Sequence, residues 1–507
     1  MANRVRLGIH ITNKAFVLFG LLAVISILFF YSSCTSSSVD EVSYLNHADD
    51  VGYVGIEKCA ECHSAQHSTF IHTGMGLSFA DATMKKSSAE FNKSSLVYDS
   101  LSNLYYYPYW KDSIFYIREF RLQGNDTVHH LEVEVDYIVG SGQHTNSHLV
   151  STNGYVYQAP ITYYVQKGRW DLAPGFENGN NSRFSRILDS ECISCHNSMP
   201  KMEKSSNRKF ATLGQGIDCE RCHGPGQLHV QQRENGGKLS EGEDRTIVNP
   251  KKLSWERQID LCQRCHLQGL NILKDGKKFT DFKPGMKLSE VFEIYLPKFS
   301  GKSDRFDMAN HSERFQMSQC FIQGNNESLD FTCISCHNPH ISVQMTQIDV
   351  FNSTCAKCHT NRSDCTEGEL DRSEVDDNCV SCHMPKSGSV DIPHVSVHDH
   401  YIRVPNKVNE MKPKGDLTGL YAVNNAKPEE HYQIKAYLEY WEKFDKNPFF
   451  INEAEKMLEG SNEIGLLLKF HYLKEQYEEV LNLKVDESQL GGWELYMLGV
   501  SYARLDK

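Results

Sequence analysis

The chain opens on a basic start, Arg4, Arg6 and Lys14, and then runs without a charge from Ala15 to Tyr31. An apolar run of that length is close to the shortest that spans a bilayer and slightly long for the core of an export signal. It stops at Ser32-Ser33-Cys34, and polar residues from Thr35 to Ser38 follow. Residues 1–33 therefore read as a signal peptide or membrane anchor and 34–57 as a polar tether. Further on, Leu131, Val133, Val135 and Tyr137 alternate with Glu132, Glu134 and Asp136, the period of a half-buried strand. Tyr105, Tyr106, Tyr107, Tyr109 and Trp110, then Ile114 to Leu122, supply more aromatic and β-branched runs, and Gln123-Gly124-Asn125-Asp126 suits a turn between strands. These patterns predict a small β-rich insert over about 90–170. From 190 to 405 no period persists, which predicts short helices and loops. After Pro405, the stretches Glu429 to Lys446, Asn462 to Asn482 and Gly492 to Lys507 carry helical spacing. The predicted fold class is mainly α with irregular loops across 58–405, interrupted by the β-rich insert, with an α-helical region over 406–507.

Length and charge narrow the class. A chain of 507 residues with net charge −12 has room for two to four domains and offers no basic surface for a nucleic acid. Seventeen cysteines change the picture most, because fourteen fall in one repeated pattern, CxxCH. The copies are Cys59, Cys62 and His63; Cys192, Cys195 and His196; Cys219, Cys222 and His223; Cys262, Cys265 and His266; Cys333, Cys336 and His337; Cys355, Cys358 and His359; and Cys379, Cys382 and His383. Two thiols at this spacing add across the vinyl groups of one haem, and the adjacent imidazole supplies an axial nitrogen to the iron. Zinc ribbons need paired CxxC segments but no histidine directly after each, and redox CxxC pairs do not recur seven times. The pattern predicts seven covalently bound haem c groups. Six of the seven copies crowd between Cys192 and His383, too dense for an ordinary apolar core. Porphyrins have to form the core there, which forces neighbouring groups close together.

Each iron has a second face. The histidines outside the motifs outnumber the seven irons, so two-histidine ligation throughout is arithmetically possible. His340 follows His337 by three positions and His229 follows His223 by six, so neither can reach round to the far side of its own porphyrin. As ligands they would serve neighbouring groups. His144 competes with His148, and His394 with His398, while His129 reads as a satisfied core residue. Cys320 and Cys365 are candidates for a disulfide, and Arg221, Arg264 and Arg403 for partners of haem propionates.

Several stretches beyond CxxCH resemble multihaem cytochromes c related to the tetrahaem cytochrome c-554: Cys222-His223-Gly224-Pro225-Gly226, Cys336 to His340, Cys382 to Lys386, Gly140 to His144, and His394 with Asp399 to Arg403. The resemblance covers about 51–405. It implies an electron-transfer role and distal ligation by His144, His229, His311, His340, His394 and His400. For the first haem it points to Met75, set between Gly74 and Gly76, with His72 as the competitor. Leu498, Gly499 and Tyr502 resemble the first helix of a tetratricopeptide repeat, a region that follows the haem part in many relatives. The apolar stripe of Leu495, Leu498 and Tyr502 is then expected to dock on a partner protein or a second copy. The segment ending at Cys34 resembles a bacterial lipoprotein signal, which would place the rest in the periplasm or cell envelope, held to the membrane by lipid or by the first helix. The expected function is electron transfer with redox protein partners, with no catalytic residue assigned. The alternative is an oxidoreductase with one open haem acting on a small nitrogen or sulfur compound, similar to hydroxylamine oxidoreductase. No CxxCK, the segment usual in nitrite reductases, is found.

Overall fold

The computed structural model describes residues 43–204, 206, 208–237, 244–301, 306, 308, 310–327, 329–360, 365, 372–389, 392–404 and 415–506. Cys34 and the apolar run before it lie outside these residues, as does part of the 361–371 segment. Among the described residues, no helix is long and apolar enough to cross a membrane.

The expectation of a mainly α protein does not hold: helix accounts for about 35% and strand for about 21%. The strand content has two sources. First, the β-rich insert is larger than the alternation suggested and forms two packed sheets. Strands β1 (Phe79–Asp81), β2 (Val97–Asp99), β3 (Leu104–Lys111), β4 (Ile114–Gln123), β5 (Asp126–Glu134), β6 (Tyr137–Val139), β7 (Thr145–Thr152), β8 (Tyr155–Tyr164), β9 (Arg169–Leu172) and β10 (Arg186–Leu188) build it. One sheet runs β2-β3-β4-β5, and the other β1-β6-β7-β8-β10 with β9 also on β8. Their inner faces meet through Leu104, Tyr106, Phe115 and Ile117 on one side and Ile161, Tyr163 and Trp170 on the other. Interdigitation of this kind is what holds a sandwich together. The turn at Gln123–Asp126 joins β4 to β5, and Gly124 takes the positive φ of 60° that such a tight link needs.

Second, the haem-motif region contains strand pairs that its broken periodicity conceals. β11 (Lys201–Met202) pairs with β12 (Phe210–Thr212), and β15 (Lys386–Gly388) with β16 (Ser396–His398). β13 (Leu270–Leu273), β14 (Phe292–Phe299) and β17 (Leu417–Ala422) form a three-stranded sheet. That sheet is buried on both faces. Phe292, Ile294 and Leu296 pack with Phe279, Phe282 and Leu288, while Tyr295, Leu270 and Leu420 face the C-terminal helices. A run buried on both sides shows no alternation, which is why its strands escape a period-2 search.

The C-terminal region differs in detail. Its helices are Glu430–Lys443, Pro448–Leu458, Ile464–Leu473, Tyr477–Asn482 and Gly492–Arg504, so the stretch read as one helix over 462–482 is two and Pro448–Leu458 is additional. The final stripe splits: Leu498 is buried with Leu468 and Val480, whereas Leu495 and Tyr502 are exposed. The segment read as a tether also packs. Tyr44 and Asn46 are buried, and Asn46 Nδ2 donates to His223 O and Pro225 O, both at 3.2 Å.

Glu119 on β4 carries the main buried charge of the sandwich. It has no exposed surface, accepts from Arg183 Nε at 3.0 and 2.9 Å, and meets His129 Nε2 at 2.8 Å. Burial alone would raise this carboxyl, but the hydrogen bonds from Arg183 and His129 outweigh it and hold it below its usual value. A depressed carboxylate contributes stability above its unfolded value, and that contribution is lost as pH falls through the folded one. Glu119→Gln should therefore lower unfolding free energy at pH 7 by roughly 1–3 kcal/mol. It should also flatten the acid limb of the stability–pH curve, followed by urea denaturation. An unchanged acid limb would show that the pair contributes nothing.

Candidate haem-binding sites

Every motif sits on or beside a short helix, so that one turn carries both thiols and the histidine. The histidine N–H donates back to the first cysteine's carbonyl at His63 (2.9 Å), His223 (3.0 Å), His337 (2.9 Å) and His359 (3.0 Å). Local capping fixes where these turns begin. Asp189 accepts from the N–H groups of Glu191 and Cys192, Ser254 caps the helix that ends at His266, and Asn378 accepts from Val380. Thr332 and Ser335 form a reciprocal capping box at Cys333.

Tertiary structure then brings imidazoles together in pairs. His63 and His229 have ring centres 6.4 Å apart with planes 23° from parallel. His223 and His340 are at 6.1 Å and 13°, His266 and His311 at 6.1 Å and 41°, and His337 and His400 at 6.1 Å and 26°. With a metal–nitrogen bond of about 2.0 Å on each side and a five-membered ring beyond it, imidazoles on opposite faces of one metal lie roughly 6 Å apart. Each pair joins a motif histidine to one from elsewhere in the chain, and their spacing fits an axial pair.

Protonation and hydrogen bonding agree with this fit. An axial imidazole has to be neutral, and burial lowers the pKa of His223, His229, His311, His337 and His340. Burial takes His400 down to about 4, only partly offset by its bond to His398 O. Nδ1 is occupied by Val248 O at 2.8 Å in His223, by Asp244 Oδ2 at 3.1 Å in His229, by Arg403 O at 2.9 Å in His383 and by His398 O at 3.0 Å in His400. An outer partner on one ring nitrogen leaves the other free to face a metal, the usual arrangement of a ligating histidine.

Two further features fit an anionic planar group. His196 and His266 are exposed beside the buried Asn197 and Leu267, so their rings are open to contact with a bound group. Arg221 and Arg264 are only 5% and 6% exposed and have no carboxylate partner among the described residues. Burial lowers Arg264 to about 10. A buried guanidinium needs an anion, and haem propionates would supply it. The residues present therefore fit haem.

Motifs distant in sequence also touch. Cys59 neighbours Cys219, Cys195 neighbours Cys265, Cys262 neighbours Cys333, and Cys355 neighbours Cys379. The remaining candidates are placed differently. His144 Nδ1 meets Gln166 Nε2 at 2.8 Å, and His394 Nε2 meets Asp171 Oδ2 at 3.0 Å and lies edge-on to Tyr164. Met75 accepts at its carbonyl from Ile217 N at 3.0 Å, beside the third motif, while His72 is exposed. Among the described residues, no ring stands opposite His196, His359 or His383. His148 is buried in the sandwich against Phe115 and Trp170, far from candidacy as a ligand. Arg403 bonds Asp399, and Cys320 and Cys365 are both free, with Cys320 near Cys358.

Three further residues border these sites. His398 Nδ1 meets Met384 O at 2.7 Å, leaving Nε2 free. Lys86 donates to Leu77 O and Gly140 O, next to Ser78, whose hydroxyl donates to His196 O at 2.7 Å. Asp399 ties two arginines together. His398, as the competitor of His394, and Asp399, beside His400, were visible in the sequence, whereas Lys86 carried no sequence signal.

Comparison with known proteins adds three findings. The family model described as cytochrome c554 and c-prime matches residues 177–224, which hold the second and third motifs. The multiheme cytochrome MtrA of Shewanella baltica (strain OS185) is 25% identical over 248 residues, 47% of this chain and 65% of that protein. The chain thus spans less than two thirds of that relative's length. The crystal structure of the outer cell wall cytochrome OcwA covers 89% of this chain and 99% of its own at 15% identity, with a TM-score of 0.43, too low to assign a shared fold. The family match falls on segments whose thiols and imidazoles suit covalent haem, and over these parts the chain is similar to multihaem c-type cytochromes.

Proposed function

We propose that the protein is a heptahaem electron carrier that works outside the inner membrane, in the periplasm or cell envelope, with redox proteins as partners. The observation that carries this reading is the set of four opposed imidazole pairs, because each leaves no axial position for a substrate. Bound haem supplies one-electron redox chemistry; the chain's own residues set where each group sits and how close its neighbours come. His229 serves the first motif, His340 the third, His311 the fourth and His400 the fifth. Thiol contacts put the first motif beside the third, the second and fifth beside the fourth, and the sixth beside the seventh. These contacts define three clusters, and a conduit would run from one cluster to the next. Arg221 and Arg264, buried and with no carboxylate partner among the described residues, would neutralise propionates.

His229 replaces Met75 as the ligand proposed for the first haem, because its ring already faces His63. Met75, His144 and His394 are left as candidates for the second, sixth and seventh motifs, with His398 beside them. Those three motifs favour a second reading, an oxidoreductase with an open iron, since no ring faces His196, His359 or His383 among the described residues. A lipid on Cys34 would hold the protein to the membrane, and the exposed Leu495 and Tyr502 would serve a partner or a second copy.

Intact mass of the exported protein should exceed that of the mature polypeptide by seven haem masses, and five or fewer would end the heptahaem reading. Low-temperature electron spin resonance should show His229→Ala converting one iron to high spin while Met75→Ala leaves that iron unchanged. The reverse result would return the first haem to Met75. A substantial high-spin signal in the unaltered protein would favour the open-iron reading. Cys34→Ala should abolish partition into detergent, and a mature chain without lipid that starts beyond Cys34 would exclude the anchor.

A further inference from the structure

The segment 398–403 is tied to the ligands of more than one motif. His400 faces His337, and its ring centre is 4.4 Å from that of His311, which faces His266. Asp399 has no exposed surface and accepts from Arg314 Nε at 2.8 Å and Nη2 at 2.6 Å. It also accepts from Arg403 Nη1 at 2.7 Å and from Tyr401 N at 3.0 Å. Arg314 stands one turn beyond His311 on the helix His311–Gln316 and is itself buried. The carbonyl of Arg403 accepts from His383 Nδ1 at 2.9 Å. Ser318 closes the unit, donating to His400 O at 3.2 Å and accepting from Ile402 N at 2.9 Å.

We propose that Asp399 is a positioning residue that, through Arg314 and Arg403, holds His311, His400 and His383 in one register, so that ligation at the fourth, fifth and seventh motifs behaves as one mechanical unit. The inference rests on the haem reading and adds to it a residue that touches no iron. A two-pronged guanidinium–carboxylate contact fixes angle as well as distance, which a single hydrogen bond does not. Arg314 transmits that angle to the first turn of the His311 helix. Arg403 transmits it through its own carbonyl to the ring orientation of His383. His400 is fixed directly, being next to the carboxylate. The carboxylate is also a fixed negative charge beside these ligands, so its removal should favour the reduced state and raise midpoint potentials.

The test compares the full-length haem-loaded protein with Asp399→Asn, Arg314→Lys and Arg403→Gln, using Glu119→Gln in the β-sandwich as a control for loss of a buried ion pair. Haem content comes from intact mass, ligation from low-temperature spin resonance and potentials from a redox titration. Asp399→Asn should keep its full haem content, shift or convert the low-spin signals of two or three irons, and raise their midpoints. Arg314→Lys, which keeps the charge but loses the fork, should move a subset of the same irons by less. Arg403→Gln should affect those of the fifth and seventh motifs. Glu119→Gln should lower stability and move none. If Asp399→Asn does not accumulate, the two arginine variants decide by the same readouts. Unchanged spectra in haem-loaded variants, or equal shifts in Glu119→Gln, overturn the clamp alone. A parent without covalent haem overturns the haem reading with it.

Discussion

Between Leu296 and Leu420 the described residues bury only three apolar side chains well, Phe315, Phe321 and Val395. A stretch of that length cannot offset its conformational entropy with so little apolar burial. Within it, imidazoles stand opposed across gaps of about 6 Å, and each gap joins segments remote in sequence. Helix Gln227–Glu234 reaches back to the first motif through His229, the Asn338–His340 turn to the third, and the 398–403 segment to the fifth.

The two β assemblies are built in the opposite way. The sandwich and the sheet β13-β14-β17 have cores of aromatic and aliphatic side chains that need no prosthetic group. They flank the motif region and supply it with fixed points. The sheet contributes the strands on either side of the fourth motif's neighbourhood and anchors the C-terminal helices through Tyr295 and Leu420. The sandwich carries His144 and, through Ser78 and Lys86, borders the second motif. Rigid walls around a region that is poor in apolar contacts keep its histidine pairs at spacing.

Buried charge is distributed on the same plan. Glu119 and Asp399 are each enclosed with arginine partners, whereas Arg221 and Arg264 are enclosed with no carboxylate partner among the described residues. The first kind is complete within the polypeptide and fixes local geometry. The second finds only uncharged acceptors among the described residues, Ser194 O for Arg221 and Phe279 O for Arg264. Charges of both kinds are expensive to bury unless paired, so Arg221 and Arg264 are suited to meet the carboxylates of an anionic group.

The motif chemistry was legible in the sequence because covalent attachment is local: two thiols and a histidine within one helical turn require nothing from the rest of the fold. The hairpin at Gln123–Asp126 was legible for the same reason, since strand alternation and turn residues are short-range. The helical forecast for the motif region failed where strands are buried on both faces, as in β14, or are only two or three residues long, as in β11 and β15. Neither leaves a periodic trace. Sequence could show that His229 and His340 do not serve their own motifs, because the chain is too short to turn round a porphyrin there. It could not say which motif each one faces, nor that Asp399 binds Arg314. Those pairings join residues far apart in the chain, and only the packing of the whole molecule sets their distances.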